Sequence, residues 1–274
     1  MEQRLDVEAL QQKAQWLRRT IVKMVTKANS GHPGGAMGHA DVLVTLHYRF
    51  LRDRPNDPWW PDRDRFLLSN GHTCPGLYTI LADKGYFPEE ELWSFRRLGA
   101  MLQGHPSTAW RIPGIEISGG SLGHGLSIAV GMALAGKLDD KDYRVYCMIS
   151  DGESQAGQPW EAGTAASHYR LDNLCAILDH NGAQIDGRNE QIMEVEPLVE
   201  KWQAFGWQAI GIDGHDYEQI IGAFEKFLET DSQPTMIVAN NIIGKGVSFM
   251  EDDYHWHHGA LSPEQLEQAL NELS

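Results

Sequence analysis

Cysteine is nearly absent from this chain of 274 residues: Cys74, Cys147 and Cys175 are far apart and odd in number. They make neither a disulfide framework nor a Cys-x-x-Cys metal motif, and Cys147 and Cys175 lie inside apolar runs as small core residues. Positive charge is scarce as well. Against 38 Asp and Glu there are 23 Lys and Arg, a net charge of −15. Gripping a nucleic-acid backbone asks for clustered cations, so no nucleic-acid partner is expected. No apolar run nears the roughly 20 residues of a membrane span, so no membrane role is expected either. The opening stretch, "MEQRLDVEALQQKAQWLRRT", patterns as a charged amphipathic helix rather than a secretory signal. These absences point to a soluble, cytoplasmic protein. Repeats, low-complexity tracts and linkers are missing too, and 1–274 reads as a single domain able to bury a full core.

What is present is periodicity. Leu10, Ala14, Leu17, Ile21 and Val25 recur at helical spacing and predict a helix over 7–28, stopped by the turn-rich "NSGHPGG". Further helices are expected at 40–50 and 77–82, with a short apolar strand at 65–69 that breaks at Asn70-Gly71. Residues 93–117 carry Gly, Pro and Trp without periodicity and read as a long loop. "GGSLGHGLSIAVGMALAGKL" opens on glycines and runs into a helix of small residues, fit for close packing inside the protein or against another helix. From there strands at 143–149, 174–179, 207–212 and 235–239 alternate with helices at 158–169, 196–205 and 216–228, before a last helix at 262–272. The alternation implies an α/β fold: a doubly wound, mostly parallel sheet with helices on both faces.

Two positions stand out in that pattern. Asp151 and Asn181 each follow an apolar run and are separated by 181 − 151 = 30 residues, the length of one strand–helix–strand unit. Parallel strands end on the same edge of the sheet, where open α/β sheets bind ligands, so the two side chains should be neighbours. One carboxylate and one amide oxygen suit a hard cation such as Mg²⁺ that completes its shell with phosphate oxygens and water. Gly152 lets backbone approach a phosphate closely. Either residue alone is more often a helix cap or a turn; the pair at this spacing favours a metal–diphosphate site.

Of the twelve histidines, His32, His72 and His105 lie in three separate glycine-bearing loops, "GHPG", "NGHT" and "GHPS", which suggests convergence on a ligand. His39, His47, His168 and His215 read as structural or solvated. His255, His257 and His258 lack the Cys or carboxylate partners of a zinc site. "GGSLGHG" has no strand before it and no acidic residue after it, so it is not a dinucleotide fingerprint.

The stretch from Asp151-Gly152 to Asn181 resembles the thiamine-diphosphate motif. With "SGHPGGAMG", "LLSNGH", "QGHPS" and "GKGVSFMEDDYHWHHGAL", in that order, the chain resembles the N-terminal third to half of transketolase. The resemblance implies thiamine diphosphate and Mg²⁺ (or Ca²⁺ or Mn²⁺) as cofactors. It gives the metal to Asp151, Asn181 and the backbone carbonyl of Ala183, and the diphosphate to Gly152, His72 and His258. Gly120, Ser121 and Leu122 would lie along the aminopyrimidine and Ile185 against the thiazolium. His32, His105 and His258 would face the donor sugar, and His32, His72, His105 and His258 together form the expected catalytic set. The implied activity is transfer of a two-carbon ketol unit between sugar phosphates.

The same resemblance implies a missing half. The pyrimidine-binding and C-terminal domains are not in this sequence, so a separately encoded C-terminal subunit is expected to complete the site in an α2β2 assembly. The chain also departs from the family pattern: Ser150 stands for a usual glycine, His124 for a frequent glutamine, and Ala156 for a glutamate of a carboxylate network whose second member, Glu161, is kept.

Overall fold

The computed structural model describes residues 4–274. Helix α1 (Val7–Ala28) has the bounds its periodicity predicts. Asp6 caps its start, accepting the Ala9 N–H at 2.9 Å, and Asn29 ends it in the left-handed region. Leu10, Leu17, Ile21, Val22 and Val25 are fully buried, each stabilising the fold by about 1.5–3 kcal/mol.

Helices α2 (Pro33–Gly38) and α3 (Ala40–Thr45) follow, and α3 ends in a wider π-type turn, Leu46–Phe50. Strand β1 (Arg65–Leu68) leads to α4 (Cys74–Asp83). Next come α5 (His124–Leu138), β2 (Val145–Ser150), α6 (Gln158–His168) and β3 (Leu174–His180). A small hairpin, β4 (Ala183–Gln184) and β5 (Gly187–Arg188), precedes the short α7 (Asn189–Ile192) and α8 (Leu198–Ala204). The chain closes with β6 (Gln208–Asp213), α9 (Tyr217–Glu229), β7 (Thr235–Asn240) and α10 (Pro263–Glu272).

Five strands form one all-parallel sheet in the order β1-β2-β3-β7-β6. Side chains along a strand alternate between faces, and this sheet buries both. Tyr146, Met148, Cys175, Ile177 and Ile237 belong to a core shared with α1, α3, α4 and α9. Val145, Cys147, Leu174, Ala176 and Met236 belong to a second core shared with α5, α6 and α8. Double winding, the expected architecture, is thus visible in which residues share a core. Among the described residues no helix is long and apolar enough to cross a membrane.

Two stretches differ from expectation. "HPGGAMG" folds as α2 rather than as a turn, because Pro33 starts it and its glycines let backbone pack on backbone: a Cβ on Gly34 would lie 2.6 Å from the Trp256 carbonyl oxygen. The β4–β5 hairpin and α7 are too short to leave a periodic signal. The 93–117 segment is irregular, as expected, apart from the end of a short 3₁₀ helix (Glu89–Ser94) and a second at Thr108–Trp110.

Candidate active site

Strands β2 and β3 end level with each other, Ser150 beside Asp179. The chain turns immediately after, which places Asp151 and Asn181 together. Asp151 Oδ2 accepts the N–H groups of Asn181 at 3.0 Å and Gly182 at 2.7 Å, and Oδ1 accepts that of Gly152 at 2.7 Å. The carboxylate is 1% exposed. Burial raises its pKa, and the neighbouring Asp179 raises it further, while the Gly182 and Gly152 N–H groups pull the other way. Asn181 donates its amide to Asp179 Oδ2 at 3.1 Å and turns its oxygen toward the Ala183 N–H at 3.1 Å.

A cleft of about 360 Å³ opens above this edge. Of the residues singled out in the sequence, it is lined by His32, His72, His105, Gly120, Leu122, Asp151, Gly152, Asn181, Ala183 and Ile185. Two stand apart. Ser121 is exposed and does not line the cleft, and His258 meets it through His32, their ring centres 4.7 Å apart.

The histidines do converge. The His32 ring centre lies 5.1 Å from that of His72, 6.4 Å from His105 and 5.7 Å from His257. Backbone bonds hold these loops together: Gly244 N–H donates to the Gly34 oxygen at 3.0 Å and Gly259 N–H to the Gly31 oxygen at 2.9 Å, pinning the 242–259 segment along the His32 turn. Gly120, at φ 113°, lets its loop pass within reach of the His105 ring, where a Cβ would come to 3.0 Å. Burial, then the crowding of neighbouring imidazoles, lowers the pKa of His72 to about 3 and drives that of His32 down in the same way. Burial lowers His105 and His257 too, with the Arg96 guanidinium adding to the effect at His105. These rings are neutral at pH 7, able to accept a proton or donate a hydrogen bond.

Six cleft residues are not among the expected site residues: Gly35, Ser150, Gln155, Asp179, Gln184 and His257. Asp179 has a readable signal, a carboxylate one residue before the end of a buried strand. His257 presents itself in the sequence only as part of a zinc cluster that lacks partners. Glu153, 1% exposed, is also missed; it accepts the Gly123 N–H at 2.6 Å and the Ser69 hydroxyl, tying the start of α5 to β1 and β2. Of the histidines expected to be structural or solvated, His39 and His47 are buried, His168 is exposed and His215 lies against Asp41 at 2.8 Å. Ala156 abuts the start of α5, its Cβ 3.6 Å from where a Cβ on Gly123 would be, and Glu161 is exposed. His124 is exposed and lies 3.3 Å from the Gln158 amide.

Among the described residues no group of three or more His, Cys, Asp or Glu side chains could hold a metal ion. A cation here would take Asp151, the Asn181 amide oxygen and a backbone carbonyl, an all-oxygen set that suits Mg²⁺ or Ca²⁺ if a ligand and water complete it. Two buried carboxylates side by side, Asp151 and Asp179, favour such a cation. Buried His32 Nδ1 has no hydrogen-bond partner, leaving a polar atom for a ligand. Fold and cleft together define an α/β protein with a ligand-sized cleft, lined by histidines and two buried carboxylates, at the carboxyl edge of its parallel sheet.

Comparison with known proteins narrows that class. Residues 10–273 match the family model "Transketolase, thiamine diphosphate binding domain". The chain is 43% identical over 272 residues to the 6-deoxy-6-sulfo-D-fructose transketolase subunit SqwG of a Clostridium species, covering 99% of this chain and 98% of that one. It is 40% identical over 270 residues to an apulose-4-phosphate transketolase subunit of Phocaeicola vulgatus, covering 98% and 95%. Human transketolase is 38% identical over 268 residues, but there this chain spans only 42% of the relative. The crystal structure of Campylobacter jejuni transketolase superposes with a TM-score of 0.93 at 35% identity, over 98% of this chain and 43% of that one. This chain belongs to the transketolase family.

Proposed function

We propose that the chain is the thiamine diphosphate-binding subunit of a split transketolase. With a separately encoded second subunit, as α2β2, it moves a two-carbon ketol unit from a ketose phosphate to an aldose phosphate. One observation carries this reading: the chain matches subunits of named transketolases over 95% and 98% of their length, yet spans 42% of a single-chain transketolase. The whole chain behaves as a single domain in this reading.

Asp151, Asn181 and the Ala183 carbonyl would hold Mg²⁺, with Ca²⁺ or Mn²⁺ as substitutes. Gly152, His72 and His258 would take the diphosphate. Gly120, Ser121 and Leu122 would flank the aminopyrimidine and Ile185 the thiazolium. When bound, thiamine diphosphate supplies the nucleophilic carbon that breaks and makes the carbon–carbon bond. The protein's part is then to orient the sugar, exclude water and move protons. His32 and His105, with His257 beside them, are neutral N–H donors to sugar hydroxyls and to an oxygen that gains negative charge as the bond breaks. Because burial keeps them uncharged, each can also take a hydroxyl proton and return it on the reverse step.

The test is ketol transfer from xylulose 5-phosphate to ribose 5-phosphate with Mg²⁺ and thiamine diphosphate, for the chain alone and after co-expression with its partner. Activity only in the mixture is the expected result. Full activity in the chain alone would overturn the split reading. The names of the two subunit relatives favour a specialised sugar, so apulose 4-phosphate and 6-deoxy-6-sulfofructose belong in the donor panel.

A further inference from the structure

Asp179 is the node at which three segments of the site meet. Its carboxylate is 1% exposed and has no guanidinium or ammonium partner among the described residues. Instead it accepts three hydrogen bonds: from Asn181 Nδ2 at 3.1 Å and His39 Nδ1 at 3.2 Å on Oδ2, and from Asn241 Nδ2 at 2.6 Å on Oδ1. Each donor belongs to a different part of the site. Asn181 follows β3. His39 joins α2 to α3, seven residues after His32. Asn241 follows β7 and opens the segment that carries His257 and His258, its own N–H donating to the His180 oxygen at 2.9 Å. His39 is fully buried and its other nitrogen, Nε2, has no partner, so its single polar contact is the one to Asp179. A buried imidazole with only one bond is costly unless that bond fixes something.

What it fixes is the direction of the Asn181 amide. A side-chain amide can flip end for end, and only one orientation turns its oxygen to a cation. With Nδ2 held by Asp179, the oxygen is turned the other way, accepting the Ala183 N–H at 3.1 Å, beside the carbonyl proposed above as the third metal donor. We propose that Asp179, backed by His39 and Asn241, is the positioning residue that pre-sets Asn181 as a metal ligand and ties the metal end of the cleft to both histidine-bearing segments. This rests on the metal site proposed above.

The charge pattern makes the asparagine variant informative. Asp179→Asn keeps the shape, but one of its two ends becomes a donor facing His39 or Asn181 on one side, or Asn241 on the other. Residues that support a metal ligand in this way are worth about 10- to 100-fold in metal affinity. We therefore expect Asp179→Asn to raise the Mg²⁺ concentration for half-maximal thiamine diphosphate binding by that factor, followed by tryptophan fluorescence in the complete complex. Saturating Mg²⁺ should restore binding. His39→Leu, which removes one donor and leaves Asp179 in place, should shift the same midpoint in the same direction by less. A purely structural role would instead lower the melting temperature of the metal-free protein and leave the Mg²⁺ midpoint where it was. That outcome, or an unmoved midpoint in His39→Leu should Asp179→Asn fail to fold, overturns the proposal. Absence of Mg²⁺-dependent binding in the unaltered protein would instead strike the metal site itself, so the two failures are distinguishable.

Discussion

At the scale of single residues, Asp151, proposed above as a metal ligand, also has a part in holding the backbone. It closes three backbone N–H groups at the carboxyl edge, those of Gly152, Asn181 and Gly182. Asp151→Asn keeps part of that pattern and removes the charge. It should lower metal-dependent thiamine diphosphate affinity by at least the ~100-fold that a supporting residue can reach, with the far-ultraviolet circular dichroism unchanged. Titration calorimetry with and without Mg²⁺ reads both terms, and unchanged affinity would remove Asp151 from the metal site. His47 gives a prediction away from the cleft. Both its ring nitrogens are buried without partners, and burial first, then the charge of Lys84, holds its pKa well below the usual 6.5. Below pH 6.5 the unfolded chain binds a proton that the folded chain refuses, so stability is complete above that pH and declines as pH falls. One such group costs about 1 kcal/mol between pH 6.5 and 5.5, rising toward about 1.4 kcal/mol per unit at lower pH, and His72, brought down to about 3, acts in the same direction. Urea unfolding at pH 6.5 and 5.5 should show the decline, and His47→Leu should flatten it by about that amount.

Among the elements, α2 is where sequence and structure part company for a physical reason. Its glycines are required by contact: at Gly34 a methyl group would meet Ile243 and the Trp256 carbonyl, both at 2.6 Å. A carbonyl of the main chain cannot step aside as a side chain can. Gly34→Ala should therefore cost about 1–3 kcal/mol and push the 242–259 segment away from His32. A lowered urea midpoint together with weaker donor-sugar affinity is the expected pair of readings. An unchanged midpoint would mean that the segment yields freely. Set beside α1, this helix shows what periodicity can and cannot reveal. Residues 7–28 carry five core positions at helical spacing, and their bounds were legible to the residue. Strands β2, β3 and β7, read from their apolar runs, were legible to within two residues, because two buried faces leave no ambiguity about where the chain must be apolar. "HPGGAMG" has no such signal, since its burial is by backbone and its small residues pattern like a turn. The site divided along the same line. Asp151 and Asn181 were legible through crossover length, and three histidines through their glycine loops. His257 was not, because its neighbours His32 and His72 are far from it in sequence and are brought near only by the finished fold. Asp179 left a trace as a carboxylate near the end of a buried strand, but its contact with His39, 140 residues earlier, left none.

For the whole molecule, the cleft is open on one side. Leu122 and Ile185 at its mouth remain 45% and 61% exposed, an arrangement that a bound ring on one side and a partner surface on the other would cover. If the second subunit closes over the cofactor, the two binding events share that surface and are thermodynamically linked. Coupling between sites is reciprocal: the factor by which partner tightens cofactor must equal the factor by which cofactor tightens partner. We expect about 5- to 150-fold tighter thiamine diphosphate binding to the chain once the partner is present, at fixed Mg²⁺. The dissociation constant of the two subunits, measured by analytical ultracentrifugation with and without Mg²⁺ and thiamine diphosphate, should then change by that same factor. Asp151→Asn should abolish the cofactor's effect on assembly while leaving the cofactor-free assembly as it was, because Asp151 lies at the floor of the cleft and not at its exposed mouth. A cofactor affinity indifferent to the partner would mean that this chain binds thiamine diphosphate by itself and that its partner works only on the sugar.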